Sequence, residues 1–552
     1  MTPRAPGGGP SAHRDPFVRE RLPPRDLWPI LDYSGSPELA AYPDRMNIAQ
    51  ALLGRAMALG FGDQPVYAYG DVVWSYRHLW DRAQRVARWL VETKGLVPGN
   101  RVMLRGTNTP MQIAAWFGVA MAGGVAVPTM PMLRARELGF LLERAQVTHA
   151  LCDIRLIEEL AAAKEKAPSL RHLAAFTALG DASHAEAELD RALQTTPAGF
   201  APLDTAADDP VLIAFTSGTT GNPKGTIHFH RDLLAITDAC PRYQVPIRPG
   251  DMILGTPPIA FTYGLGVQVL FPTRHLASVA LLDQATPERL LETIQRQRVT
   301  MLFSAPTMFR ALQAQIGHYD LRSLERCLSG GEHLPAPTWE SWNKATGHRL
   351  VDVIGATEML HIFMGSPPLA IRPGATGKAL PGYRARLVDE AGNPIEGRGP
   401  GRLAVIGPTG CRYFDDAERQ KGYVKQGWNL TGDVFERDED GYFWYQARSD
   451  DMIVSAGYNI AGPEVERVLL EHAKVAECAV IGAPDAERGQ IVKAFVVLKD
   501  GRDGGSETVK ELQDFVKSVI APYKYPRAIV FRDDLPKTPT GKIQRFKLKE
   551  EA

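Results

Sequence analysis

The 552-residue sequence carries no surplus of charge: Lys+Arg and Asp+Glu number 63 each. With no basic field over the whole chain, neither nucleic acid nor an anionic membrane is recommended as a partner. Cysteine is scarce. The five present, Cys152, Cys240, Cys327, Cys411 and Cys478, are scattered without CxxC spacing, which argues for a reduced compartment and against a structural metal. Long apolar runs are also missing. The longest, Ile113 to Val127, is interrupted by three glycines and stopped by Pro128; it is short for a membrane span and long enough for a buried helix running into a strand. The opening "MTPRAPGGGPSAHRDPF" has no apolar signal region and reads as a disordered Pro/Gly tail over residues 1–22. These absences describe a soluble cytoplasmic protein, with monomer and homodimer both left open.

The length exceeds what one core sustains and implies two or more domains. Strand and helix signals alternate, the pattern of a layered α/β fold. Val66–Tyr69, Gly70-Asp71 and Val72–Trp74 form a predicted hairpin, with Ser75 placed to cap a helix carrying Leu79, Ala83, Val86 and Leu90 on one face. The segment 177–210 is Ala/Asp/Thr-rich with weak periodicity and reads as surface structure. After the polar break "ARSDD" comes a compact α+β pattern: strands near Cys478–Ile481, Ala494–Leu498 and Ala528–Phe531, and a helix bearing Val509, Leu512, Val516 and Val519. This predicts a large N-terminal domain of several sheets over 23–449 and a small, mobile α+β domain over 450–552, joined by a hinge.

The stretch that carries chemistry is "FTSGTTGNPKGT", Phe215 to Thr226, which follows the apolar run Val211–Ala214. Its glycines let backbone N–H groups converge on phosphate oxygens, while hydroxyls and Lys224 add donors and charge. The spacing is not that of a Walker A loop, and a flexible Ser/Gly loop is the alternative reading. His228 and His230 form an HxH; without a third ligand at useful spacing they are read as structural or loop-supporting.

"TSGTTGNPKG" resembles the signature of the adenylate-forming acyl-CoA synthetase superfamily. Other motifs of that family follow in order: "SGGEHLP" (Ser329–Pro335), "GATEM" (Gly355–Met359), "GRLAVIGP" (Gly401–Pro408), "TGD" (Thr431–Asp433), "ARSDDMI" (Ala447–Ile453) and "PKTPTGKIQR" (Pro536–Arg545). The resemblance implies a two-step reaction: a carboxylate, a poor electrophile, is joined to AMP as a mixed anhydride, and the acyl group then passes to a thiol. It implies ATP phosphates on Thr216, Ser217, Gly218, Thr219, Thr220 and Lys224, a magnesium ion on Glu358, and Thr357 beside the α-phosphate. It places Asp433 and Arg448 on the ribose, Gly331 and Glu332 by the adenine, and Lys542 as the catalytic lysine of the small domain. Asp450 falls at the hinge, and Gly457 and Tyr458 beside the pantetheine of coenzyme A. Lys524 and Arg527 read equally well as CoA-phosphate contacts or as surface charge.

Within that family, "AFTYGLG" (Ala260–Gly266) and "GATEMLHIFM" (Gly355–Met364) are similar to the benzoate and 2-aminobenzoate CoA ligases. Phe261, Tyr263, Gly264, Gly330, Ile354, Ala356 and His361 are the implied acyl pocket, whose aromatic walls suit a flat ring. The expected substrates are 2-aminobenzoate or benzoate, ATP and CoA. The alternatives are a CoA ligase for another aryl or medium-chain acid, or a nucleotide-binding regulator without turnover.

Overall fold

A computed structural model describes residues 10–216, 223–397, 399–448, 451–455, 458–485, 488–501, 504–520, 522–538, 541 and 543–551. The predicted hairpin forms, Pro65–Tyr69 pairing antiparallel with Val72–Ser75. The Ser75 hydroxyl accepts from the His78 amide and so starts the helix Tyr76–Arg88. The apolar run near Ile113 divides as its pattern implies. Thr109 caps a helix that begins at Pro110 and runs to Met121 with every residue buried. Gly123, at φ 74°, turns the chain into the strand Val125–Thr129. A helix that is apolar all round needs cover all round, and this one shares a single core with inward-facing residues of two large sheets.

One of those sheets has six strands, in the order His172–Phe176, His149–Asp153, Arg101–Arg105, Val125–Thr129, Pro210–Thr216 and Lys224–Phe229. The first five are parallel and the last returns antiparallel. The other has nine strands, with the parallel run Met252–Gly255, Met301–Ser304, Arg326–Ser329 and Leu350–Gly355 at its centre. A third, antiparallel sheet includes Gly401–Ile406, Trp428–Arg437 and Phe443–Arg448. The small C-terminal domain is built on Val475–Asp485, Gly489–Leu498 and Ala528–Phe531, with the helices Gly462–Glu471 and Ser506–Val519. Leu512 and Val516 of the latter are buried, whereas Val519, at its last residue, is exposed.

Two expectations need correction. Residues 10–22 are not a disordered tail. The Ser11 hydroxyl and the Ala12 amide both bond to the Asp209 carboxylate, Asp15 pairs with Arg101, and Val18 is buried. Composition registers the prolines and glycines but not the distant carboxylate and guanidinium that hold this segment down. The 177–210 segment is likewise more than surface structure, because its helix Glu188–Thr195 buries Leu189 and Leu193.

The two domains touch near the ends of the central strands. Arg310, on the helix Pro306–Gln313, stands 3.5 Å from Glu477 of the small domain, which also takes Lys537 at 2.7 Å. A Cβ at Gly541 would lie 3.0 Å from the Thr307 hydroxyl. Gly541 is therefore seated against the large domain.

Candidate active site

The hairpin Pro210–Thr216/Lys224–Phe229 closes with Thr216 opposite Lys224, so Lys224 is held by the sheet rather than by the loop. Its ammonium lies 2.6 Å from Glu358 Oε1. Glu358 sits in the turn Thr357–Met359 that follows the strand Leu350–Gly355 of the other sheet. The Tyr413 hydroxyl donates to the same oxygen at 2.9 Å and stands 3.3 Å from Lys224 Nζ. Burial works to raise the Glu358 carboxyl, but the Lys224 charge and the hydrogen bonds from Lys224 and Tyr413 outweigh it and hold the carboxyl below its ordinary value. Both contacts use Oε1. Tyr413 is a member of this cluster that the sequence reading missed; a lone tyrosine in "CRYFDD" gives no signal of its own.

Behind the cluster lies His228, fully buried. Its Nε2 is 2.9 Å from the Thr357 carbonyl and 3.1 Å from the Thr226 hydroxyl. Burial lowers the imidazole to about 4, so it is neutral at pH 7 and donates from Nε2 to Thr357. The second histidine faces elsewhere: His230 Nδ1 accepts from the Ile48 amide at 3.1 Å. The HxH thus serves two separate partners, and His228 ties down the turn that carries Glu358. Replacing His228 with phenylalanine leaves the Thr357 carbonyl without its donor, at about 1–3 kcal/mol. The expected result is a roughly tenfold loss in the ATP-dependent step, which 1.4 kcal/mol amounts to. The His228→Gln variant, which keeps an N–H, is expected to retain most of the rate when the two are compared in steady-state kinetics.

Asp433 and Arg448 face each other across two antiparallel strands, with Arg448 Nη1 at 2.9 Å from Asp433 Oδ1 and 3.2 Å from the Thr431 carbonyl. Gly331 follows the strand Arg326–Ser329 at φ 88° with open space where a side chain would point. Beside it His333 stacks on Tyr445, with ring centroids 5.2 Å apart and planes at 24°, an aromatic pair absent from the sequence reading. Glu332 is half-buried next to them.

The residues expected to line an acyl pocket divide. Tyr263 and His361 come together with ring centroids 5.5 Å apart, and Phe271 closes edge-on to His361 at 4.6 Å. His361 is buried; burial lowers it to about 4, and its Nε2 lies 3.2 Å from the Tyr263 carbonyl. The Tyr263 hydroxyl is buried without a hydrogen-bond partner among the described residues. Gly330 lies against it, since a Cβ there would come within 3.0 Å of that oxygen. Ile354 and Ala356 are half-buried and pack on the same core. Phe261 is half-buried just before the short helix Thr262–Leu265. Gly264 does not belong in the wall. A Cβ on it would fall 2.0 Å from the Pro258 carbonyl oxygen, so this glycine permits a close backbone approach and leaves no space for a ring.

Ser217, Gly218, Thr219, Thr220, Asp450, Gly457 and Lys542 lie outside the described residues, as does the side chain of Tyr458. Lys524, read as a CoA-phosphate contact or as surface charge, is engaged within the small domain by both carboxylate oxygens of Glu464, at 2.7 Å each. The Arg527 guanidinium stacks over Tyr525.

Comparison with known proteins places this geometry. The profile of the AMP-binding enzyme family matches residues 55–413, and that of the AMP-binding enzyme C-terminal domain matches residues 464–542. The chain is 34% identical to the benzoate–CoA ligase of Thauera aromatica over 531 residues, 94% of this chain and 99% of the relative. A crystal structure of an anthranilate CoA ligase in complex with anthranoyl-AMP superposes with a TM-score of 0.87 at 30% identity, covering 93% of this chain and 98% of that one. A benzoate CoA ligase from Burkholderia xenovorans LB400 gives 0.82, also at 30% identity, over 91% and 100%. The likeness extends over nearly the whole length: the chain belongs to the AMP-binding enzyme family and is a ligase of the AMP-forming acid–CoA class.

Proposed function

We propose that this ligase activates a small aromatic carboxylic acid, of the benzoate or 2-aminobenzoate type, as its acyl-adenylate and then transfers the aryl group to coenzyme A. The observation that carries the aromatic assignment is the wall of Tyr263, His361 and Phe271, since His361 stands only three residues beyond Glu358. A flat ring seated there would bury its faces on aromatic and aliphatic side chains. The buried, unpartnered Tyr263 hydroxyl offers the one kind of group that a polar ring substituent requires. The 34% identity to a benzoate–CoA ligase and the fold shared with an anthranilate CoA ligase support the same reading.

In this scheme the 217–222 loop and Lys224 hold the phosphates, and Asp433 and Arg448 hold the ribose. A magnesium ion fits the site: Lys224 and Tyr413 both bond to Glu358 Oε1, so the second oxygen is the one left to ligate, and a hard cation that bridges phosphates needs only one or two protein carboxylates. When bound, such an ion would supply positive charge against the phosphates. Tyr413 and Lys224 orient the Glu358 carboxylate and keep it ionised inside a buried site. The division into bodies of 23–449 and 450–552, with Asp450 at the hinge and Gly457 and Tyr458 on the CoA path, belongs to the same proposal. The experiment is ATP–pyrophosphate exchange over a panel of acids. Benzoate and 2-aminobenzoate are expected to support exchange and octanoate not; equal specificity constants for octanoate would remove the aromatic assignment, and no exchange with any acid would favour a regulator without turnover.

A further inference from the structure

The six-stranded sheet has a cavity at its other end. Its phosphate-loop hairpin lies at the C-terminal edge of the parallel strands. At the opposite edge, where Arg101–Arg105, His149–Asp153 and His172–Phe176 begin, a cavity of about 380 Å³ opens. At about 3.3 Å per residue, these five-residue strands separate the two edges by ~16 Å. Four cationic side chains line the cavity, Arg14, Lys94, Arg101 and Arg171, against the single carboxylate of Asp15, in a chain whose net charge is zero.

Two of these cations are already engaged. Lys94 pairs with Glu188 at 2.6 Å. Arg101 pairs with Asp15 and donates to the carbonyls of Ala145 and Gln146 at 3.0 and 2.7 Å. The Asp15 carboxylate is spent in the same way, on Arg101, on Asn100 at 2.7 Å and on the Phe17 amide at 3.0 Å. Arg14 and Arg171 remain: neither side chain has a hydrogen bond or an ion pair among the described residues. The Ser169 hydroxyl, in the same lining, is buried and has no partner there. His149 and His172 form the back, with ring centroids 4.9 Å apart. Burial lowers both imidazoles, His149 to about 4, so at pH 7 they add no charge.

We propose that this cavity binds a phosphate-type oxyanion, with Arg14 and Arg171 supplying the charge and Ser169 a hydrogen bond. Two guanidiniums with their donor forks uncommitted match tetrahedral oxyanions better than lysine would. A buried hydroxyl with no protein partner is a group that a ligand satisfies. Because Arg14 belongs to the N-terminal segment and Arg171 to the loop before the edge strand His172–Phe176, a bound anion joins the two and stabilises the folded form by mass action. The volume accommodates either free phosphate or the phosphate of a nucleoside monophosphate.

The test is calorimetric titration of the full chain with inorganic phosphate and, separately, with AMP. Three proteins are compared: the wild type, the double variant Arg14→Gln/Arg171→Gln, and Lys224→Ala, which weakens the site at the other edge. The expected result is a phosphate-binding event that survives in Lys224→Ala and falls at least tenfold in affinity in the double variant, with exchange activity in phosphate-free buffer unchanged by the double substitution. Tighter AMP binding at that site would identify a nucleoside monophosphate as the occupant, and equal or weaker binding would identify free phosphate. The proposal is overturned if the wild type shows no event at millimolar phosphate, if the event is lost with Lys224, or if the double variant binds as the wild type does.

Discussion

The Lys542→Ala variant is expected to lose roughly 10²–10³-fold in adenylate formation, the scale of removing one preorganised donor, and to keep the second half-reaction. Attack of the carboxylate brings negative charge to the α-phosphate, and in the proposed scheme Lys542 offsets that charge as it develops. Gly541, the residue before Lys542, sits against Thr307 on the helix that follows the strand Met301–Ser304, on the edge where Gly330 and Glu358 also lie. On the proposed assignment, thiol attack on a preformed adenylate expels AMP after the small domain has turned, and Lys542 then has no part in it. The variant should fold, bind ATP, and convert supplied aryl-adenylate plus CoA to the thioester at close to the wild-type rate. Measuring the half-reactions separately decides the assignment: a parallel fall in both would make Lys542 a structural or CoA-binding residue.

Sequence and structure agree most closely where the pattern is local. The 65–75 hairpin, the Ser75 cap and the buried helix that starts at Pro110 each follow from a few adjacent residues whose chemistry allows one backbone outcome. The ordered motifs likewise named both members of the Lys224–Glu358 pair, although they are 134 residues apart in the chain. What the sequence did not disclose was decided by distant partners. Asp209 and Arg101 fix an N-terminal segment whose composition reads as disorder. Tyr413 reaches Glu358 from a segment bridged to Thr226, and His333 finds Tyr445 on a strand of the third sheet, more than a hundred residues along the chain. Gly264 shows the same limit at the scale of one residue: position in a motif marked it as pocket, whereas the contact it makes is with the Pro258 carbonyl. Pattern identifies which residues matter, and three-dimensional contact decides what each one touches.

That distinction leads to Arg412, which no motif marks and which lies between the strand of His228 and Tyr413. Its guanidinium is fully buried, bonded to the equally buried Asp232 at 2.8 Å and packed over Phe229 at 4.1 Å. Its carbonyl accepts from the Ile227 amide at 2.8 Å, between the strand that carries His228 and the Tyr413 that holds Glu358. Asp232 is shared as well, its Oδ2 accepting from the Phe229 amide at 2.9 Å. An Arg412→Met substitution leaves a buried carboxylate without its counter-charge, which costs about 3–5 kcal/mol; chemical denaturation should register a loss of that size. Adding Asp232→Asn removes the orphaned charge and keeps an acceptor for Phe229, so the double variant is expected to recover most of the stability. The activity of that double variant then separates two roles that the single variant confounds. If the pair acts only as structure, the stabilised protein exchanges pyrophosphate like the wild type. If Arg412 also aims Tyr413 at Glu358, exchange stays low in a protein that is again well folded, and the deficit appears in kcat for adenylation with thioester formation from supplied adenylate intact. A single variant as stable as the wild type would show that the pair is not the stabilising ionic contact its geometry describes.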